Sequence, residues 1–338
     1  MTRATSAPSY AHLAALTDQT SIFEHAEYDV PRHAHGYCVD DAARALVLVT
    51  REPDTTPLME RLGEVYLSFL ERALSEDGRM HNRMSEQRVF VDVPGVGDWW
   101  GRAVWAFGVV QAQSRSADHR ARAARAFARA AGQRSADLRA MAFAAIGAAA
   151  VLQGEPENAQ ARSMLEDAAS MIGAARCDSW TWPEASLRYA NGILPEALLA
   201  AGAGLGRQDH IARGLELLRF LLSVESAGGH LSVTGTDGRA PGDDGPLFDQ
   251  QPIEPAAIGE ACARAFEVTA DPAWLAGVES AWGWFAGRND AGIAMFDASA
   301  GGGFDGLHRE SRNENRGAES TIAALMTRQL ARRFGVLD

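Results

Sequence analysis

The chain has 338 residues, 46% of them apolar, and its 44 acidic and 32 basic side chains give a net charge of −12. That balance is a poor footprint for nucleic acid or anionic lipid, and no apolar run reaches the roughly 18 residues that span a bilayer. There is no lysine, which excludes chemistry needing a lysine amine, such as a Schiff base or a Walker-type phosphate loop.

Helices are expected in chain order at 8–18, 40–52, 57–74, 98–113, 117–132, 136–153, 156–175, 187–204, 208–225, 251–269, 271–287 and 317–334. Two kinds alternate. The segment Asp118–Gln133 scatters arginine over most turns, as a solvated helix with one apolar stripe does. The segment Met141–Leu152 is apolar on every face and has to be buried all round. Six such pairs predict an all-α fold, an (α/α)6 toroid with six inner helices ringed by six outer ones. An open stack of helix pairs is the alternative. No Pro/Ser/Gly linker divides the chain, so residues 1–338 read as a single domain.

Connections from inner to outer helices are short, whereas Glu76–Gly97, Arg176–Ser186, Ser226–Gln250 and Arg288–Gly317 are long loops that lead into inner helices. Long loops in a compact domain usually carry function. Short β-hairpins are expected within Arg79–Val93 and at Gly229–Val233. Cys38, Cys177 and Cys262 lie too far apart for a disulfide framework or a zinc pattern. Met1–Tyr10 lacks a basic-then-apolar leader, so a cytoplasmic protein without a metal or cofactor is expected.

Several tempting signals have plainer readings. Gly202-Ala-Gly-Leu-Gly206 follows a helix rather than a strand and reads as a helix end. Asp237, Asp243 and Asp244 lack calcium-loop spacing. His25, His33 and His35 lack metal-ligand spacing on a helix.

The loops and helix starts gather carboxylates, flat aromatics and amides, the groups that recognise a polyol. Asp40, Asp41, Asp98 and Glu254 are the catalytic candidates. One of the first two is expected to face Asp98 or Glu254 as the acid and base that cleave a glycosidic bond. The competing reading is helix capping, since Asp and Glu in a first turn suit orphan N–H groups and the helix dipole. Candidate substrate-binding residues are His25, Tyr37, Trp99, Trp100, Arg102, Trp182, Glu184, Arg188, Tyr189, Asp249, Gln250, Gln251, His308, Asn313 and Glu314. The aromatic residues Trp99, Trp100, Trp182 and Tyr189 are expected to line one cavity with the four carboxylates. Glu319, inside the last helix, reads as a structural partner for an arginine.

Four stretches resemble a bacterial six-hairpin group of the (α/α)6 glycosidase-like superfamily. They are Thr17–His25, Gly36-Tyr-Cys-Val-Asp-Asp-Ala-Ala-Arg-Ala-Leu46, Asp249-Gln-Gln-Pro-Ile-Glu254 and Gly306–Ser320 with its Asn313-Glu-Asn-Arg-Gly-Ala-Glu-Ser. Ala42 stands where that group usually has Asn, which removes one polar contact. The superfamily includes hydrolases, phosphorylases, unsaturated-uronyl hydrolases and sugar 2-epimerases, so the fold leaves the reaction open. The expected function is a glycoside hydrolase acting on a neutral oligosaccharide or polysaccharide. A sugar isomerase or 2-epimerase, with His308 and His81 or His230 as bases, and a non-catalytic glycan-binding protein are the alternatives. No nucleic-acid or membrane partner is expected.

Overall fold

The computed structural model describes residues 9–173 and 180–337, so Met1–Pro8 and Cys177 lie outside the described residues. It contains α1 (Ala11–Ala15), α2 (Val39–Arg51), α3 (Pro57–Ala73), α4 (Asp98–Gln113), α5 (Ala117–Ala130) and α6 (Leu138–Gly154). The second half holds α7 (Ala159–Ile172), α8 (Ile193–Leu205), α9 (Gln208–Val224), α10 (Ile253–Thr269), α11 (Leu275–Phe285) and α12 (Ala318–Arg333). Among the described residues no helix is long and apolar enough to cross a membrane.

The two helix classes follow from composition. In α5 the buried side chains are Ala123, Ala126, Phe127 and Ala130, a stripe at three- and four-residue spacing. In α6 every residue from Arg139 to Leu152 is buried. The outer helices α3, α5 and α7 start on Thr56, Ser116 and Asn158, whose side chains accept an orphan backbone N–H of the first turn. Asp137 does the same for α6.

Neighbouring inner helices pack in the cycle α2–α4–α6–α8–α10–α12, and α12 returns against α2, so the ring closes. Outer helices α3, α5, α7, α9 and α11 each lie on the inner helix that precedes them in the chain, through the short connections. Small residues set the spacing of α4 and α6: a methyl group on Gly108 would stand 2.1 Å from the Gly147 carbonyl oxygen. The result is the toroid and not an open superhelix.

Three elements differ from expectation. The first outer helix is only the five residues of α1, which rests on α12. Helix α8 begins at Ile193 rather than near 187, leaving Arg188 and Tyr189 in the preceding loop. There the Asn191 side chain accepts the Arg188 N–H, Ala190 takes a positive φ of 47°, and the chain turns before it can wind. A short 3-10 turn, Pro272–Trp274, takes the place of the first turn of the last outer helix.

The hairpins are real but small. Arg83–Met84 pairs with Tyr37–Cys38, and Met84 also bridges Phe90 across a tight turn, so the second loop is tied to the first. The other hairpin joins Ser226–Ala227 to His230–Leu231. Gly206, with φ of 69°, ends α8 as a left-handed cap, and the Gly202–Gly206 stretch is a helix terminus.

Candidate functional site

Three inner helices present first-turn groups to one point at the mouth. Asp40 of α2 and Asp98 of α4 flank Arg102, which lies one turn further along α4. Nη1 of Arg102 donates to Asp40 Oδ1 at 2.5 Å and stands 3.8 Å from Asp98 Oδ2. The guanidinium lies 4.5 Å over the Phe143 ring and is almost fully buried, which fixes its position. Glu319, in the first turn of α12, receives Arg44 at 2.6 Å, and the same Arg44 donates to Asp41 at 2.7 Å.

The carboxyls sit in unlike surroundings. Burial pushes the Asp98 carboxyl above its usual range, partly offset by Arg102 and by the Tyr189 hydroxyl, which donates to Oδ2 at 2.5 Å. Its other oxygen, Oδ1, is buried with no hydrogen-bond partner among the described residues. Asp41 is buried too and is pushed up to about 6 by burial despite Arg44. Its second oxygen accepts the Cys38 thiol at 3.2 Å, and that thiol is itself pushed well above its usual range by burial. At Glu319 burial raises the pKa but Arg44 and Arg102 outweigh it, leaving the carboxyl below its ordinary value.

Glu254 does not face this cluster. It lies beneath the loop ahead of α8, where it accepts the backbone N–H groups of Ala190 and Asn191 (3.2 Å for Asn191) and the Asn191 side-chain amide at 3.0 Å. Burial, with Glu225 nearby, pushes it up to about 8. From the other side Arg139 holds the same loop. Its Nε donates to the Tyr189 carbonyl at 2.5 Å, its two terminal nitrogens clasp Glu184 at 2.9 Å each, and its plane lies 4.8 Å from the Tyr189 ring. Glu254 and Arg139 therefore fix the turn that delivers the Tyr189 hydroxyl to Asp98.

The remaining candidates are spread more widely. Gln251, Arg188 and Tyr189 line a loop-side cavity of about 470 Å³ with Glu254. Trp99 is half-buried, with its indole N–H on the Met80 carbonyl. Trp100 and Trp182 are not at the mouth. Both are fully buried, Trp100 donating to the Ala130 carbonyl of an outer helix and Trp182 stacking near Phe220. Tyr37 is buried against Phe23, with its hydroxyl on Asp18 at 2.9 Å. Gln250 is buried between Trp284 and Asp290. His25 packs edge-on to His35 beside Glu24. Asn313 caps its own loop by accepting the Asn315 N–H, and Glu314 pairs with Arg312. Asp249 accepts from His308 Nδ1 at 2.5 Å, an arrangement that orients the imidazole.

Glu319 pairs with an arginine, as its place inside the last helix suggests, while the sequence singles out neither Arg139 nor Arg44. An Arg two residues after an N-cap Asp carries no signal of its own, and only the fold reveals that Arg139 reaches the next loop.

No family model and no curated protein matches this chain. Solved structures do match. A cellobiose 2-epimerase from Bacillus thermoamylovorans aligns over 96% of both chains with a TM-score of 0.69 at 10% identity. A D-mannose isomerase aligns over 96% of both with a TM-score of 0.69 at 9% identity. The GH76 alpha-mannanase of Bacteroides thetaiotaomicron covers 96% of this chain and 94% of its own, with a TM-score of 0.66 at 9% identity. At such identities the likeness is one of fold, and the fold is the (α/α)6 toroid of these enzymes.

Proposed function

We propose that the protein is a carbohydrate-active enzyme, and specifically a glycoside hydrolase using Asp98 as general acid and Asp40 as base or nucleophile. One observation carries this reading: two carboxyls in unlike surroundings stand on either side of Arg102. Asp98 is desolvated, which raises its pKa as a general acid needs, and its buried Oδ1 has no hydrogen-bond partner among the described residues. Asp40 is hydrogen-bonded to the guanidinium, the partner that suits a carboxylate. A glycosidase needs one protonated carboxyl at the leaving oxygen and one carboxylate at the sugar, separated by environment. The structural neighbours named above act on sugars by their own names, which agrees with a sugar substrate. Glu254 takes a positioning role in this reading.

A specific feature favours a second reading, sugar isomerisation. His308 is oriented by Asp249 through Nδ1, leaving Nε2 free to move a proton. His81 is likewise held through Nδ1, on the Asp92 carbonyl, but its ring is stacked on Phe90, and His230 bonds Asp290 through Nε2. One experiment separates the two readings. The protein is incubated with a panel of neutral oligosaccharides and the products are followed by reducing-end assay and NMR. New reducing ends that vanish in Asp98→Asn and survive in His308→Gln support hydrolysis. An isomerised sugar lost in His308→Gln, with Asp98→Asn active, supports isomerisation and overturns the assignment of Asp98 as the acid.

A further inference from the structure

The largest of the four described cavities is not at the mouth. It measures about 630 Å³, against about 390 to 470 Å³ for the three on the loop side. Its walls come from the C-terminal ends of inner helices: Arg51 ends α2, Gln113 ends α4, and Arg332 and Arg333 close α12. It is the lower chamber of the ring, opening at the end away from the long loops.

Arginines there are expected, because helix C-termini favour cations. Each one that lines the chamber is also paired. Arg51 holds Glu260 at 3.0 Å, Arg264 and Arg333 hold Glu267 at 3.0 and 2.7 Å, and Arg332 reaches Asp54 at 3.3 Å. Glu196 is different. It is the one charged residue in the apolar helix Ile-Leu-Pro-Glu-Ala-Leu-Leu-Ala-Ala-Gly-Ala-Gly-Leu, is only 3% exposed, and faces the chamber. Among the described residues no side-chain hydrogen bond reaches it, its one ion pair is the long contact to Arg264 at 3.9 Å, and Glu260 and Arg51 lie nearby. It stands this deep because α8 begins late: Gly192 presses against the Ala257 carbonyl, a full turn inside α10. A leucine would complete the helix at lower cost, since burying a carboxyl with only a 3.9 Å ion pair to offset its lost hydration is destabilising.

From these features we propose that the lower chamber is a second ligand site, shaped for a small neutral polyol of one or two sugar rings. Hydroxyl donors would satisfy Glu196, and ring C–H faces would lie on Val109, Ile146 and Ala150. Four arginines line the chamber and share Glu260, Glu267 and Asp54, and the Glu196 carboxyl is the fourth to face them, so the charges balance and no excess attracts an anion or an amine. The volume falls within the few hundred to roughly 1,000 Å³ of ordinary small-molecule sites. The proposal stands apart from the reading of the mouth, because it uses none of the same residues.

The test uses the whole protein with D-glucose and cellobiose as probes, titrated by calorimetry up to about 50 mM, the range of weak sugar sites. Glu196→Leu removes the acceptor and fills part of the chamber, Glu196→Gln keeps a hydrogen-bonding group, and Asp98→Asn alters only the mouth. Melting curves check that each variant is folded. The expected result is saturable binding of at least one probe, weakened at least tenfold by Glu196→Leu, held within about threefold by Glu196→Gln, and unchanged by Asp98→Asn. Turnover of any oligosaccharide substrate stays at the wild-type level in Glu196→Leu. The proposal is overturned if neither probe binds saturably, which would make the chamber a water pocket, or if Glu196→Leu binds like the wild type. Loss of binding in Asp98→Asn with none in Glu196→Leu would also overturn it by placing the sugar at the mouth.

Discussion

Replacing Glu196 by Gln should stabilise the protein, and by an amount that depends on pH in a defined way. Burial pushes this carboxyl up to about 8 from an ordinary 4.5, with Glu260 adding to the effect and Arg264 and Arg51 opposing it. Below pH 4.5 the side chain is protonated in folded and unfolded chains alike, so Glu and Gln differ little. As pH rises the unfolded chain loses its proton first, because its pKa is the lower of the two. Wild-type stability therefore falls through the window from about 4.5 to about 8 and is flat above it. Each unit of the window corresponds to about 1.4 kcal/mol, which sets an upper bound of roughly 4–5 kcal/mol at the plateau. Glutamine does not ionise and escapes this loss. Urea denaturation at pH 4, 6 and 8 measures the gap, and at about 3 kcal/mol per molar the midpoints should separate by about 1 M at pH 8. A gap that stays constant with pH would refute the argument. So would a variant less stable than wild type at pH 8, for that would show Arg264 and Arg51 holding Glu196 as a well-paired carboxylate.

Three further outcomes are expected. Tyr189→Phe removes a hydrogen bond that favours the charged form of Asp98, so the alkaline limb of the rate profile should move to higher pH; an unmoved limb would detach Asp98 from that limb. Glu254→Gln has one acceptor oxygen for the three N–H groups that now converge on Glu254, so the turn carrying Tyr189 should loosen and kcat should fall about tenfold with KM little changed; a loss matching that of Asp98→Asn would instead give Glu254 a direct part in the chemistry. Gly147→Ala puts a methyl group 2.4 Å from the Val104 carbonyl oxygen and should cost about 3 kcal/mol by forcing α4 and α6 apart, a loss read directly from thermal or urea melts.

Much of the architecture could be read from residue types because inner and outer helices solve different solvation problems. Arginines scattered through α5 and an unbroken apolar run in α6 can each take only one place in a two-layer ring. The mouth was partly legible for a related reason: Asp40 and Asp98 open helices, and Arg102 follows one turn later on the same face. What could not be read was where long or flat side chains turn. Trp100 and Trp182 follow loops like sugar-stacking residues, yet both are fully buried in packing, and the Trp100 N–H finds an outer-helix carbonyl. Arg139 and Glu184 are far apart in sequence and meet only when α6 and the α8 loop are side by side. The late start of α8 depends on the Asn191 side chain holding the preceding turn, a local contest that periodicity does not register.

The two ends of the ring are electrically unlike, and this orders the charged residues more than any motif does. Six inner N-termini point at the mouth, where partial positive charge favours carboxylates, and Asp40, Asp98, Asp137 and Glu319 all lie at or within a first turn there. Six C-termini point at the base, where Arg51, Arg332 and Arg333 occupy last turns. Seen this way, a carboxylate at a helix start needs no function to explain it, and capping alone would account for Asp137. The dipole does not explain a carboxyl that has an N-terminal position but lacks its benefit. Asp98 has a buried oxygen without a partner, and Glu196 is carried by the delayed start of α8 down to the level of the basal arginines. Both placements cost the fold free energy. They are also the two on which the mouth chemistry and the lower-chamber site respectively depend.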